Sequence, residues 1–308
     1  MHKLDPRETH FRIPSPRSGL HLFLRHLSPP EGTRARGAVL YVHGGTFSSA
    51  LSIAYRIDSR SWRDELCDAG FDVWGLDFHG FGHFSDSYPD LDPDTPLGRT
   101  AEASRQLDQA ARFILNHHGI ARLSLIAHSW GTMVSGDFAG RCPDLVDSMV
   151  FFGPIARRAP VNEAPKLPAW RLITLQDQWD RFTADVPAGE PAVLSKRHFD
   201  EWGQAYLDSD PKSRNRQPPA VKTPGGAFQD IFDAWAGTLS YDPGLLQARV
   251  KIIRGEWDSM CTDTDAAWLL NAIPAAHDVK IQRATHLMHL EENRYALYRE
   301  AEAFLKGD

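Results

Sequence analysis

The sequence predicts an α/β protein in which helices cover both faces of a mainly parallel β-sheet. Short apolar runs of strand length recur along the chain, and segments with helically spaced apolar residues lie between them. Runs that are apolar throughout are typical of strands that a parallel sheet buries on both faces. The chain has 308 residues, of which 42% are hydrophobic and 24% charged, and these proportions argue against a disordered, collagen-like or coiled-coil chain.

Turn residues separate the predicted elements. The Pro- and Gly-containing segment 14–19 divides the first two strand candidates, and Gly70 ends the first helix. The predicted strands are 10–13, 20–27, 38–42, 71–76, 123–127, 148–152, 250–254 and 279–282. The predicted helices are 56–68, 100–117, 132–140, 264–271 and 293–305. Strands that alternate with helices in this way predict a parallel sheet.

The alternation of strands and helices stops between residues 154 and 241. Nine prolines lie at residues 160–224, and residues 154–241 contain four tryptophans, namely Trp170, Trp179, Trp202 and Trp235. A structureless loop of this length is uncommon in a compact domain. We therefore predict a helical cap over residues 155–240, inserted into a core that residues 1–154 and 241–308 form together.

Charge and cysteine usage exclude several classes of protein. Thirty-four basic and forty acidic residues give a net charge of -6, so the chain lacks the basic surplus that binds nucleic acid or anionic membranes. Cys67, Cys142 and Cys261 are too few and too far apart for a disulfide framework or a zinc pattern. The first eleven residues lack the apolar run of a signal peptide, and no segment reaches the length of a membrane span. A cytoplasmic protein without metal or cofactor is expected.

A serine occupies the junction between a predicted strand and a predicted helix. The segment reads Ala127-His128-Ser129-Trp130-Gly131. A turn this sharp pushes the serine hydroxyl out of the strand, with the N-terminus of the helix beneath it. Small residues two before and two after the serine are required because larger side chains would clash where strand and helix meet. The setting predicts a nucleophile.

This segment resembles the nucleophile turn of the α/β-hydrolase family, whose usual pattern is G-x-S-x-G. Ala127 replaces the first glycine, as it does in some lipases of the family. The segment 77–85 resembles the family's D-x-x-G-x-G-x-S loop. The matching segments span residues 38–291, and the resemblance implies an α/β-hydrolase fold with an inserted cap.

The resemblance also implies a triad in the chain order serine, acid, histidine. Ser129 takes the place of the nucleophile, and Asp258, which follows an apolar run, takes that of the acid. Asp263 and Asp265 are rivals for the acid. They lie where a helix begins, so a role at the N-cap or in the first turn of that helix suits them better.

Two histidines precede the last predicted helix. His286 matches the family's base, which would take the proton of the serine hydroxyl. His289 matches a position where the family often carries a second, non-catalytic histidine. His43 and His128 occupy motif positions where the side chain is usually structural.

Acyl transfer also requires hydrogen-bond donors for the developing oxyanion. The backbone N–H of Trp130, directly after the nucleophile, is one candidate. By analogy with the family the second comes from the glycine-containing loop after the strand 38–42, with Gly45 as the expected donor and Thr46 as the alternative. Glycine there lets the backbone approach the substrate closely.

A serine nucleophile favours acyl chemistry over the reactions of family members that use aspartate at this position. The leading hypothesis is hydrolysis of a small-molecule ester with a small or medium hydrophobic acyl group, through a covalent acyl-enzyme. The residues expected to line the substrate pocket are Trp130, Phe47, Phe81, Trp179 and Trp202.

Three alternatives stay open. The double glycine and Trp130 resemble proline iminopeptidases, whose substrate amine needs cap carboxylates, and the candidates for these are Glu163, Glu190 and Glu201. A thioesterase or acyltransferase could bind an acidic carrier protein at the basic segment 212–216. A hydrolase-fold protein could also bind a ligand without turnover. The oligomeric state and the physiological substrate are not predicted.

Overall fold

The computed structural model describes residues 5–89, 92–160 and 162–307. The strands in these ranges, numbered along the chain, are β1 (Thr9–Pro14), β2 (His21–Leu27), β3 (Gly37–Val42), β4 (Phe71–Asp77), β5 (Leu123–His128), β6 (Val146–Phe152), β7 (Trp170–Thr174), β8 (Ala220–Pro224), β9 (Arg249–Gly255) and β10 (Ala276–Ile281). The α-helices are α1 (Trp62–Asp68), α2 (Thr100–His118), α3 (Trp130–Arg141), α4 (Leu175–Thr183), α5 (Lys196–Asp208), α6 (Gly226–Trp235), α7 (Asp263–Ala272) and α8 (Arg294–Lys306).

Eight strands form one sheet in the order β1-β2-β4-β3-β5-β6-β9-β10. The six strands from β4 to β10 in that order run parallel, whereas β1 and β2 are antiparallel additions at one edge. Every residue of β5 is buried, which explains why four of its six residues are apolar, with Ser124 and His128 as the polar exceptions. The predicted fold class is confirmed.

Helices pack on both faces of the sheet. On one face, α2, α3 and α6 contribute apolar side chains to the larger core cluster, among them Leu107, Met133 and Ile231. On the other face, α1 and α8 supply Trp62 and Leu297 to a second cluster. None of the helices in the described ranges is long and apolar enough to cross a membrane.

Two helix boundaries differ from the sequence prediction for local reasons. The first helix begins at Trp62 rather than residue 56, because the side chains and backbones of Ser61 and Asp64 form a capping box. The helix predicted from residue 132 begins at Trp130, directly after Ser129. The last strand is Ala276–Ile281 rather than 279–282.

The segment predicted to be a helical cap also contains two strands. β7 and β8 pair antiparallel over residues about fifty positions apart, which local sequence patterns do not reveal. The helix α6 lies within the same segment, but its residues Ala227, Ile231 and Ala234 belong to the main core cluster. The division at residues 155 and 240 stays a prediction.

Candidate active site

Ser129 lies at the tight turn between β5 and α3. Its backbone has φ 54° and ψ −124°, in a region that non-glycine residues rarely adopt and that costs about 1–3 kcal/mol. The Ser129 N–H donates to the Phe152 carbonyl at 3.1 Å, which fixes the turn against the end of β6. A Cβ at Gly131 would lie 2.5 Å from the Val42 carbonyl oxygen, so only glycine fits there. The backbone, rather than a side-chain contact, therefore presents the serine.

His286 and Asp258 form a buried hydrogen-bonded pair. His286 Nδ1 lies 3.0 and 3.1 Å from the two carboxylate oxygens of Asp258. Asp258 Oδ1 also accepts the backbone N–H groups of Met260 at 2.9 Å and Cys261 at 3.0 Å, which orient the carboxylate. Nδ1 therefore donates to the carboxylate, and Nε2 is the nitrogen left to act as a base.

Gly153, at the end of β6, makes room for this pair. Its φ is +54°, and a Cβ there would lie 2.8 Å from His286 Nδ1 and 3.2 Å from Asp258 Oδ2. Phe152, whose carbonyl accepts the Ser129 N–H, directly precedes Gly153. The serine and the histidine-carboxylate pair therefore meet at one edge of the sheet. This is the carboxyl edge, where parallel α/β sheets place ligands.

The Nε2 atom of His286 has no hydrogen bond to any described residue. The Ser129 hydroxyl is therefore not bonded to it here, and such contacts often tighten only with substrate bound. The structure thus brings Ser129, Asp258 and His286 together, while their catalytic roles stay predictions. The rivals for the acid lie elsewhere: Asp265 forms a capping box with Thr262, and Asp263 pairs with Lys280 at 2.7 Å.

Two further histidines are buried around His286. The His128 ring centroid lies 4.9 Å from that of His286 and 4.7 Å from that of His289. Burial lowers the pKa of His289 to about 3 and that of His128 well below its usual value. Both are therefore neutral at pH 7. Burial also lowers the pKa of His43, which binds the backbone of Gly44 at 2.7 Å.

The loop that carries His286 is fixed by a buried carboxyl group. Glu291, fully buried, accepts the Thr285 backbone N–H at 3.1 Å and its hydroxyl. Burial raises the pKa of Glu291 to about 8, against the opposing effect of these hydrogen bonds. The sequence contains no signal for this contact beyond the spacing of the two residues.

The glycine-containing loop lies directly against Ser129. A Cβ at Gly44 would lie 3.3 Å from the Ser129 Cβ, and one at Gly45 would lie 3.0 Å from the Ala227 Cβ. A Cβ at Gly45 would also lie 4.0 Å from the Trp130 Cβ, so two of the predicted donors, Gly45 and Trp130, lie close together, and Thr46 follows Gly45 in the loop. Which of their N–H groups bind an oxyanion stays a prediction.

The residues predicted to line the pocket fall into separate groups. Phe81 stacks on Trp130 with ring centroids 6.4 Å apart, and Phe47 packs edge-on against Trp202 at 5.1 Å. Phe47 and Phe81 also line a cavity of about 370 Å³. Trp202 is buried in an aromatic cluster, whereas Trp179 is half-buried and packs on Phe199.

The indole of Trp130 is held by a carboxylate from α6. Its Nε1 donates to Asp230 Oδ2 at 2.9 Å, and the same carboxylate accepts the Thr100 N–H and hydroxyl at 2.7 Å and pairs with Arg99. Asp230 therefore ties Trp130, the residue after Ser129, to the N-terminus of α2. Sequence reasoning missed it because the partners are about one hundred residues apart.

Arg181 in α4 is a second residue that sequence reasoning missed. Its Nη1 donates to the Thr46 hydroxyl at 2.7 Å and to Gln178 Oε1 at 3.1 Å. It thus reaches from the inserted segment to the residue after Gly45. Helical spacing in the sequence can indicate which face of α4 is buried, but it does not show that this face contacts Thr46.

A group with metal-ligand geometry lies away from this edge. One ligand atom each from His26, Asp72 and His118 lie within 4.8 Å of one another. His26 already binds Asp72 at 2.9 Å, and His118 Nε2 accepts the Trp74 indole N–H at 3.0 Å. These protein partners explain the cluster without an ion.

Comparisons with known proteins agree with this architecture. A family model described as alpha/beta hydrolase fold matches residues 37–293. A search of curated protein sequences finds no match. Similar solved structures include a thermophilic esterase from Thermogutta terrifontis, with 19% identity, a TM-score of 0.62 and coverage of 97% of this chain and 98% of the other.

Two further solved structures have other activities in their names. The thioesterase domain from the curacin biosynthetic pathway has 13% identity, a TM-score of 0.64 and coverage of 97% and 99%. The 2-hydroxy-6-oxo-6-phenylhexa-2,4-dienoate hydrolase from Rhodococcus sp. strain RHA1 has 18% identity, a TM-score of 0.63 and coverage of 98% and 99%. At these identities the likeness concerns the fold alone. Since the family model covers most of the chain, the protein belongs to the α/β-hydrolase fold family.

Proposed function

We propose that this α/β-hydrolase is a serine hydrolase that cleaves an ester of a small or medium hydrophobic acyl group. The observation that carries the proposal is the His286–Asp258 pair at the same sheet edge as the Ser129 turn. The carboxylate holds Nδ1–H, which leaves Nε2 free to accept a proton. The buried, neutral histidines beside it add no competing charge at pH 7.

The proposed reaction has two steps. Ser129 Oγ attacks the ester carbonyl carbon while His286 Nε2 takes the hydroxyl proton, and backbone N–H groups of Trp130 and Gly45, or Thr46, stabilise the oxyanion. The intermediate collapses to an acyl-serine as His286 returns the proton to the leaving alkoxide. Water then attacks the acyl-serine by the same route, which releases the carboxylic acid and restores the serine.

The inserted segment does not favour an aminopeptidase substrate. Glu163, Glu190 and Glu201 are all exposed, and two of them pair with arginines: Glu190 with Arg283 at 2.9 Å and Glu201 with Arg197 at 3.1 Å. The Asp185 carboxylate of the segment reaches the loop after Asp258, where it accepts the Ser259 backbone N–H at 3.2 Å. The Arg181 cation reaches the loop beside Ser129 through its hydrogen bond to the Thr46 hydroxyl. A protonated substrate amine would be repelled by it.

A carrier-bound thioester is the second candidate. Its support is the cavity of about 370 Å³ beside Phe47, which Lys212, Arg216 and Lys222 line. Two of these residues belong to the basic segment predicted to bind an acidic carrier. The same acyl-serine chemistry would serve a thioester.

Labelling with a fluorophosphonate tests the nucleophile. Wild type is expected to take the label and to hydrolyse 4-nitrophenyl butyrate, and Ser129→Ala to do neither. Ser135→Ala is the matched control, since Ser135 is buried in the same helix α3 and should label like wild type. A wild type that neither labels nor cleaves the ester contradicts the proposal.

A substrate panel then separates the classes. We expect a higher kcat/KM for 4-nitrophenyl esters of two to six carbons than for the acyl thioesters of N-acetylcysteamine or for proline-naphthylamide. A clear preference for the thioester supports the second candidate. A preference for the free-amine amide overturns the ester assignment.

A further inference from the structure

Arg181 is a partly buried cation without a carboxylate partner among the described residues. Its hydrogen bonds there run from Nη1 to two neutral oxygens, the Thr46 hydroxyl and the Gln178 amide. Nε and Nη2 make no hydrogen bond to the described part of the chain. These two nitrogens form one edge of the guanidinium fork, the edge that binds a carboxylate in bidentate fashion.

The deeply buried arginines of the protein behave differently. Each lies beside a carboxylate: Arg25 beside Asp77, Arg63 beside Glu8, Arg254 beside Asp278 and Arg294 beside Asp58. Burying a charge without a partner is costly, and protein structures normally supply the counter-charge. Burial lowers the pKa of Arg181 to about 10, which still leaves it charged at pH 7. Arg181 therefore keeps a positive charge that the described residues do not neutralise.

The Arg181 charge acts on the carboxyl edge of the sheet where Ser129, Asp258 and His286 meet, which we call the catalytic edge. It contributes to the lowered pKa values of His128 and His289, so the guanidinium lies within electrostatic range of both rings. Its hydrogen-bond partner Thr46 follows Gly45 of the loop that touches Ser129. An anion bound by Arg181 would thus lie close to the scissile bond of a substrate.

The surroundings of Thr46 are also positive. Thr46 lines the cavity of about 370 Å³ together with Lys212 and Lys222. Among the described lining residues the one carboxylate is Asp210, which pairs with Arg216 at 2.6 Å. The Thr46 hydroxyl accepts from Arg181 and keeps its own proton to donate.

We propose that Arg181 and the Thr46 hydroxyl form an anion subsite that binds a carboxylate of the substrate, so that the enzyme prefers esters that carry a carboxylate near the scissile carbonyl. The inference rests on the proposed ester hydrolysis and names its substrate class. The carboxylate can belong to the acyl group or to the alcohol, and the two sources are separated by the substrates below.

Two matched substrate pairs test the subsite. On the acyl side, 4-nitrophenyl valerate is compared with mono-4-nitrophenyl glutarate, and on the alcohol side 4-methylphenyl acetate is compared with 4-acetoxybenzoate. We expect wild type to prefer the anionic member of one pair by about tenfold or more in kcat/KM. Arg181→Gln should lower that preference roughly 10- to 100-fold, the range of a charge-assisted hydrogen bond, and Arg181→Lys should lower it less because the charge remains.

Arg197→Gln is the matched control. Arg197 lies on α5 of the same segment, is exposed, and pairs with Asp58 and Glu201. Its removal changes the net charge equally and should leave the anion preference within about twofold of wild type.

A binding measurement separates this inference from the proposed reaction. In the Ser129→Ala background, glutarate is titrated calorimetrically with and without Arg181→Gln. If glutarate binding depends on Arg181 although wild type cleaves none of the four esters, the subsite stands and the proposed hydrolysis is rejected. A wild type that prefers neither anionic ester overturns the subsite. An Arg181→Gln variant that loses kcat/KM equally for the anionic and the neutral member of a pair also overturns it, since Arg181 would then only support the oxyanion loop.

Discussion

The catalytic edge of the sheet and the segment 155–240 above it are held in place by different means. At the edge, backbone geometry does the positioning: Ser129 and Gly153 have positive φ, and a Cβ at Gly131 would collide with a strand carbonyl. In the segment, side chains do it, through aromatic rings such as Phe182 and Trp202, whose centroids lie 5.5 Å apart.

The difference has a functional consequence. Backbone-determined positions accept few side chains, so the edge can hold only a narrow set of reacting groups. Aromatic packing tolerates volume-conserving exchange, so the segment can change what it presents to the substrate without disturbing the edge. Under the proposed function, we expect the edge to carry the reaction and the segment to select the substrate.

The largest expected effect is at the edge. Asp258→Asn should lower kcat for a 4-nitrophenyl ester about 10⁴-fold, because the amide no longer holds the His286 tautomer that leaves Nε2 free. The backbone N–H groups of Met260 and Cys261 can still donate to the amide oxygen, so the circular dichroism spectrum and melting temperature should stay near wild type.

Asp263→Asn is the control for that variant. Asp263 is exposed in the first turn of α7 and pairs with Lys280. Asp263 also binds Arg254, but in the described ranges it makes no hydrogen bond to Ser129 or His286, so its replacement should change turnover less than threefold. A loss below tenfold in Asp258→Asn would remove the carboxylate from the triad.

The next largest expected effect is on stability, and it tests how the segment 155–240 is attached to the sheet. Trp202→Ala should lower the free energy of unfolding by about 3–5 kcal/mol, because the buried indole leaves a cavity and its Nε1 bond to the Leu51 carbonyl, 3.0 Å long, is lost. Trp179 is half-buried, so Trp179→Ala should lower the free energy of unfolding clearly less than Trp202→Ala. Urea unfolding followed by fluorescence measures both.

The shape of the transition in Trp202→Ala carries further information. Trp202 packs on Phe47, which belongs to the loop at the catalytic edge. We therefore expect a single transition at lower urea. A separate early transition, with the later midpoint unchanged, would mean that the segment folds independently of the sheet.

The smallest effect concerns acid stability. Burial holds His289 neutral in the folded protein down to a pKa of about 3, whereas the unfolded chain protonates it near pH 6.5. Its contribution to stability is present above pH 6.5 and is lost as the pH falls below it, by about 2 kcal/mol at pH 5. His289→Gln should therefore show a flatter decline between pH 7 and pH 5.

The control for this pH profile is His277→Gln. His277 is exposed on β10, so its removal should leave the decline unchanged. Urea midpoints at several pH values supply the measurement. If His289→Gln and wild type decline in parallel, His289 is protonated in the folded state.

The sheet was predictable because its strands are locally apolar, and the serine turn because Ala127 and Gly131 are adjacent in sequence to Ser129. The positions of Asp258 and His286 required the family resemblance, since nothing local links them. The strands β7 and β8 were missed because each has five residues and its partner lies far along the chain.

The sequence by itself determined the fold class and the serine turn, because apolar periodicity and small residues at sharp turns are local properties, and the family resemblance added Asp258 and His286. Only the tertiary structure decided what surrounds them. The neutral histidines, the carboxylate behind Trp130 and an Arg181 charge with no carboxylate partner in the described ranges all depend on contacts between residues far apart in the chain. Burial and charge at a site are sums over such contacts, and no sequence window contains them.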